Sequence, residues 1–156
     1  MSRLKRGPAS SAAPATSEGP APPAKRKVLF LCIGNSCRSQ MAEGFARKYG
    51  VDVMDVASAG LSPISFVDPL TVTTMKDWGI DISDQYPKSM ADAHFQPWDL
   101  IVNMSGLPMP SGFPGQLLVW NVRDPFRLSE QVFQEVARHV EGLVQALVLA
   151  LRRANQ

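Results

Sequence analysis

The sequence predicts an α/β domain built on a parallel sheet, and three observations carry this. The run Val28-Leu29-Phe30-Leu31 is short and continuously apolar, as in a strand buried on both faces. Strand-like and helix-like patterns then alternate along the chain, the order of βαβ units. The final segment repeats apolar residues at helical spacing, at Val132, Val136, Val140, Leu143, Leu147 and Leu151.

The elements follow in order. Met1 to about Ala24 is mostly Ala, Pro, Ser and Gly, with almost no large apolar residue. Such a stretch cannot bury enough surface to offset its ordering entropy, so residues 1–26 are expected to form a disordered tail and 27–156 the domain. After the first strand, Met41, Phe45 and Tyr49 recur at helical spacing, with Arg47 and Lys48 in the last turn and Gly50 as the stop. Val51 to Ala57 reads as a second strand, broken at Gly60. Asp68-Pro69 opens a helix that runs to Trp78 and stops at Gly79. Asp99 to Met104 and Leu117 to Trp120 read as the third and fourth strands. The Pro- and Gly-rich stretch from Ser105 to Gly115 between them reads as a long loop. Ser129 is a good N-cap for the last helix, with Glu130 in its first turn.

Composition narrows the function. The chain has 156 residues, enough for one domain and a tail, with 45% hydrophobic and 19% charged residues. A net charge of +2 gives no footprint for nucleic acid. No apolar run is long enough to cross a bilayer. The basic start lacks an apolar core and cleavage site, and Pro8, Pro14, Pro20, Pro22 and Pro23 break any transit helix. The two cysteines, Cys32 and Cys37, are too close to staple a fold, which points to a reducing compartment and a cytoplasmic protein. They have no clustered His or Cys to complete a metal site, and no cofactor is implied.

The chemistry lies where the first strand ends, at Cys32-Ile-Gly-Asn-Ser-Cys-Arg-Ser39. In a parallel α/β sheet, ligands sit at the carboxyl ends of the strands. Ile33, Gly34, Asn35, Ser36 and Cys37 separate Cys32 from Arg38, enough chain to wrap once around a small tetrahedral anion. Backbone N–H groups of a loop that enters a helix converge and carry partial positive charge. Gly34 allows a tight turn, and Asn35 tolerates left-handed geometry. Arg38 offers a planar fork that matches two oxygens of the anion. The same field favours a thiolate at Cys32, and Ser39 is placed to hydrogen-bond its sulfur. A nucleotide P-loop would end in Gly-Lys-Ser/Thr, and this loop ends in Cys-Arg-Ser. The leaving oxygen still needs a proton, and Asp124 is the best acid: it follows the fourth strand on a short loop stiffened by Pro125. Asp68, the other Asp-Pro, is explained by opening a helix.

Val28 to Glu43 (VLFLCIGNSCRSQMAE) resembles the signature of the low-molecular-weight protein-tyrosine-phosphatase superfamily, which includes the thioredoxin-type arsenate reductases. Ser58-Ala59-Gly60, Gly79-Ile80-Asp81-Ile82-Ser83 and Asp124-Pro125 follow in the order that family shows. The resemblance implies a four-stranded parallel sheet flanked by helices on both faces, of the phosphatase I type. It implies catalytic roles for Cys32, Arg38 and Asp124, with Ile33, Gly34, Asn35, Ser36, Cys37 and Ser39 around the anion and Ser58 in support. It also favours Cys37 as the partner that captures oxidised Cys32 in a reversible disulfide, against a plain buried thiol.

Two branches of that family share the first half-reaction. A phosphatase hydrolyses the phosphocysteine, whereas a reductase resolves a thiol–arsenate adduct with further thiols. Thioredoxin-coupled reductases carry two more cysteines after the third strand. Here Ser105 stands about where the first would be, and no cysteine follows Cys37. Phe126 fits the aromatic wall that holds a phenyl ring, and Phe66 is a second candidate. Gln40-Met41-Ala42-Glu43 and Trp120-x3-Asp124-Pro125 look more like the reductase branch. Gln85 stands where many phosphatases carry a histidine. The leading expectation is a phosphatase acting on a phosphorylated protein or small aryl phosphate. The alternatives are an arsenate reductase that borrows an external small thiol, and a non-catalytic oxyanion-binding module.

Overall fold

The computed structural model describes residues 25–93, 97–109, 112–113 and 115–156. The tail expected over 1–26 therefore lies outside the described residues except for Lys25 and Arg26. Arg26 already belongs to the first strand, β1 (Arg26–Cys32), one residue before the expected start of the domain.

The elements are β1, α1 (Arg38–Tyr49), β2 (Met54–Gly60), α2 (Pro69–Asp77), β3 (Leu100–Asn103), β4 (Gln116–Val119) and α3 (Glu130–Ala154). The four strands form one sheet in the order β2-β1-β3-β4, with every pairing parallel. This is the predicted α/β class. β1 is central, which accounts for its unbroken apolar run: Val28 to Leu31 are fully buried. β2 starts later than the sequence suggests. Val53 and Met54 both donate to the Gly50 carbonyl, so residues 51–53 are used to turn the chain.

Side chains of β1 alternate between two cores. Val28, Phe30 and Cys32 face a large cluster with Met41 and Phe45 of α1 and Phe133 and Val140 of α3. Phe30 and Trp120 meet there with ring centroids 5.8 Å apart. Leu29 and Leu31 face a smaller cluster with Ala57, Ala59 and Ile101, closed by Ala93 and Trp98 from turn-rich segments. α1 packs directly on β1 and β2, and α3 packs on α1 and α2.

α3 is capped as predicted: Ser129 accepts from the Val132 N–H. Its buried row is Phe133, Val136, Ala137, Val140, Val144 and Val148. The expected stripe is thus rotated, and Val132, Leu143, Leu147 and Leu151 sit at its partly buried edge. Phe133 and Ala137, absent from the expected stripe, are fully buried in the cluster that α3 shares with α1 and α2. Tyr49 of α1 donates to Glu141 of α3 at 2.5 Å, which pushes the phenol up to about 12. No described helix is long and apolar enough to cross a membrane.

This core makes a clear expectation. Phe133 is fully buried; Phe133→Ala should lower the free energy of unfolding by about 3–5 kcal/mol. Leu149 is half exposed, and Leu149→Ala should stay within about 0.5 kcal/mol of the wild type. Urea titrations of the two variants check the contrast.

Candidate active site

The loop after β1 is held from outside by the segment after β2. The carbonyls of Cys32, Ile33 and Gly34 accept from the N–H groups of Leu61, Ser62 and Ile64 at 3.0, 2.8 and 3.1 Å. The Ser36 carbonyl accepts from the Asp68 N–H at 3.2 Å and the Thr71 hydroxyl at 2.9 Å. With the carbonyls turned outward, the N–H groups of this loop face the cavity it encloses. The loop then enters α1 without a side-chain cap, so the helix N-terminus is left to an anion.

The tight position is not Gly34, as the sequence suggests. A Cβ there would meet nothing nearer than Ile64 at 3.5 Å. Gly60, the last residue of β2, is the constrained one. A Cβ on it would lie 2.7 Å from the Ile33 carbonyl oxygen and 3.0 Å from the Asn35 nitrogen. Asn35 takes the left-handed conformation expected of it, with φ at 52°.

Cys32 is almost fully buried, and its Sγ lies 2.8 Å from Ser39 Oγ. Asn35 organises what lies behind that contact. Its Nδ2 donates to Ser39 Oγ at 2.8 Å and to Ser58 Oγ at 2.9 Å. Its Oδ1 accepts from the Lys88 N–H at 3.0 Å, which fixes which end of the amide faces which way. Ser58 in turn donates to Glu43 Oε1 at 2.5 Å.

Arg38 is 5% exposed. Its Nη1 donates to the carbonyls of Met104 at 2.7 Å and Val122 at 3.3 Å, the chain just past β3 and β4. Nη2 lies 3.5 Å from Asp124 Oδ2. Nε is buried and has no partner among the described residues. A buried guanidinium with one idle donor beside a ring of N–H groups is a site built for an anion.

Cys32, Ile33, Gly34, Ser36, Cys37 and Arg38 line a cavity of about 260 Å³ at this point. Asp124, Phe126, Ser62 and Ile64 complete its lining. Asp124 is 48% exposed and accepts from the Phe126 N–H, which ties the acid to the aromatic ring beside it. Phe66, the second candidate wall, is exposed and does not line the cavity; Ile64 takes that place. Ser105 is buried just past β3. Its hydroxyl donates to Asn103 Oδ1 at 2.6 Å and accepts from the Leu107 N–H at 3.0 Å.

Cys37 is buried and reduced, as is Cys32. Burial pushes its thiol up to about 12, with Asp68 adding to the rise and a hydrogen bond with Thr71 opposing it. Among the described residues no cluster of His, Cys, Asp or Glu could hold a metal ion.

Two residues were missed as site residues by sequence reasoning. Glu43 enters the sequence analysis only as part of the family signature, yet its side chain is 5% exposed and Arg47 holds it through Nε and Nη2 at 3.0 and 2.7 Å. Gln40 is fully buried. Its Nε2 donates to the Asn35 and Tyr86 carbonyls, and Gln85 donates to its Oε1. A polar residue at a core position of α1 was the available signal for both. Gln85 supports the loop through Gln40.

Comparison with known proteins agrees with this geometry. The family model described as "Low molecular weight phosphotyrosine protein phosphatase" matches residues 27–109. A glutaredoxin arsenate reductase of Synechocystis sp. is 35% identical over 127 residues, covering 79% of this chain and 96% of that protein. An arsenate reductase of Halalkalibacterium halodurans is 48% identical over 82 residues, covering 53% of this chain and 58% of that protein. A solved arsenate reductase in the phosphate-binding state superposes with a TM-score of 0.74 at 34% identity, covering 81% of this chain and 98% of that one.

The two thiols should react very differently. With its thiol near 12, Cys37 of the native protein should be alkylated by iodoacetamide at neutral pH at least about a hundredfold more slowly than Cys32. Peptide mass mapping over time reads both sites. The same proton is held more tightly folded than unfolded. Its contribution to stability is therefore complete below pH 9 and is lost as pH climbs towards 12.

Proposed function

The chain belongs to the low-molecular-weight phosphotyrosine protein phosphatase family, and from that premise we propose that it is an arsenate reductase working through Cys32 with a thiol supplied from outside the chain. One observation carries the choice of branch: similarity over nearly the whole length of arsenate reductases combines with a chain that has no cysteine after Cys37. The phosphatase expected from the sequence becomes the second reading.

In the proposed first step, arsenate sits against the loop N–H groups and the Nε and Nη2 of Arg38. The Cys32 thiolate attacks arsenic and forms an S–As bond, while one arsenate oxygen leaves as water. Asp124, at the mouth beside Arg38, supplies a proton to that oxygen. Ser39, 2.8 Å from the sulfur, steadies the thiolate before attack.

The second step reduces arsenic. An external thiolate attacks Cys32 sulfur, and the S–As electron pair passes to arsenic, which leaves as arsenite. A mixed disulfide remains, and a second external thiol frees Cys32 and carries away the disulfide. Cys37 is a poor candidate for either thiol, because burial keeps it protonated. The same property weakens its expected role in capturing oxidised Cys32. Ser105 cannot substitute, since its oxygen forms no disulfide and is tied to Asn103.

The phosphatase reading is supported by Phe126 and Ile64, which give the mouth an apolar grip on an aryl group. There Asp124 would first protonate the leaving oxygen and then activate water against phosphocysteine.

Parallel assays separate the readings. Arsenite release from arsenate should depend on added glutathione and glutaredoxin, and should vanish in Cys32→Ser. Robust hydrolysis of an aryl phosphate without thiol-dependent arsenite release would overturn the reductase reading. Asp124→Asn should slow turnover by about a hundredfold, while phosphate still protects Cys32 from alkylation at a similar concentration. A normal rate in that variant would remove Asp124 from the mechanism.

A further inference from the structure

We propose that Arg47, on the surface of α1, is a positioning residue for the Cys32 nucleophile, acting through Glu43, Ser58, Asn35 and Ser39. The proposal rests on Cys32 being the nucleophile, and not on which oxyanion it attacks.

The direction of each hydrogen bond is forced. Glu43 is paired with Arg47 at 2.7 Å through Oε2, so its carboxylate has no proton to give. Ser58, 2.5 Å from Oε1, must therefore donate to it. With its hydrogen spent, Ser58 Oγ accepts from Asn35 Nδ2 at 2.9 Å. The Asn35 amide cannot be flipped, because its Oδ1 receives the Lys88 N–H. Its other Nδ2 hydrogen goes to Ser39 Oγ at 2.8 Å. Ser39 thus accepts from Asn35, and its own hydrogen is left for Cys32 Sγ at 2.8 Å. A hydroxyl aimed at sulfur favours the thiolate. Every link except the last arginine is buried, so the chain runs from the protein surface to the nucleophile through a low-dielectric interior.

Remove the charge on Arg47 and the starting condition is lost. Glu43 is then a buried carboxylate whose remaining cation is Lys88, which faces it from the segment after α2. Asp84 lines the same pocket with the opposite sign. A protonated Glu43 can donate to Ser58, which can then point its hydrogen elsewhere, and the order that ends at Cys32 is no longer imposed. Arg47 itself is tied down, with Nη2 also donating to the Val56 carbonyl of β2. The other charged and titratable groups near Cys32 are Arg38 in its own loop, Cys37, Asp124 before α3 and Asp68 at the start of α2. None of them belongs to this chain of bonds.

The test is the rate of Cys32 alkylation by iodoacetamide against pH, with circular dichroism as the check on folding. Arg47→Met should move the midpoint of the profile upward by about half a unit or more, and Arg47→Lys should recover most of the shift. Ser58→Ala cuts the chain in the middle and should move the midpoint the same way. The double variant should be no worse than Ser58→Ala alone, because both changes break one chain. If Arg47→Met tracks the wild type, or if the two shifts add in full, the proposal is overturned. Should Arg47→Met fail to fold, Arg47→Gln combined with Ser58→Ala gives the same comparison. The readout needs neither arsenate nor phosphate, so its failure is distinct from failure of the reductase reading.

Discussion

The close approach of Gly60 to the loop after β1 is the constraint on which the rest of the site depends. There is no room for a side chain between the end of β2 and the Ile33 carbonyl. That contact lets the segment from Leu61 to Ile64 run beside the loop and take up its carbonyls. With the carbonyls committed outward, the inner wall of the loop consists of donors. The parallel pairing of Phe30 with Ser58 and Cys32 with Gly60 also sets the depth of the network. Ser58 lies two residues before Gly60 on the same strand face, where it can reach both Asn35 and Glu43. A shift of register by one residue would turn Ser58 away and break the link.

Arg38 shows how a buried cation is kept useful. A guanidinium removed from water needs acceptors, and the chain past β3 and β4 provides two carbonyls for Nη1. Asp124 compensates part of the charge from the side of the mouth, where solvent screens the pair. Satisfying Nη1 while leaving Nε idle holds the fork in one orientation without quenching it. The parallel sheet makes this possible, since the carboxyl ends of β1, β3 and β4 all reach the same edge.

Much of this was legible in the sequence, for identifiable reasons. β1 announces itself because a central parallel strand has no polar face. Cys32, Arg38, Asn35 and Ser39 are legible because a loop of that length around an anion admits few residue types. Gly60 was read as a strand breaker and Gly34 as the turn. Only three dimensions show which glycine another backbone approaches. Glu43 and Gln40 were hidden for a related reason. Polar residues on a helix default to solvent, and their burial depends on a strand and a loop from elsewhere in the chain. Phe66 and Ile64 are two residues apart, and which of them faces the mouth is decided by the bond from the Ile64 N–H to the Gly34 carbonyl. The stripe on α3 differs because Ala137 counts as small and Phe133 as isolated, although both are fully buried in the core shared with α1 and α2.

The loop alone leaves the reaction open, because phosphate and arsenate share shape and charge. What differs is the fate of the adduct on Cys32. Hydrolysis needs an ordered water and a base, whereas reduction needs two sulfur-borne electrons from beyond the first thiol. This chain has one other sulfur nucleophile in reach of the question, and burial beside Asp68 holds its proton. The same packing that makes Cys37 a sound floor for the loop makes it a slow attacker. Under the proposed reductase reading the electrons come from outside, past the half-exposed Asp124 and the Phe126 and Ile64 side chains that line the cavity. An internal thiol relay of the expected kind would place a further cysteine after β3. That ground is occupied by Ser105, whose hydrogen bonds to Asn103 and Leu107 hold the segment that supplies the Met104 carbonyl to Arg38. In this chain the position serves the geometry of the anion site.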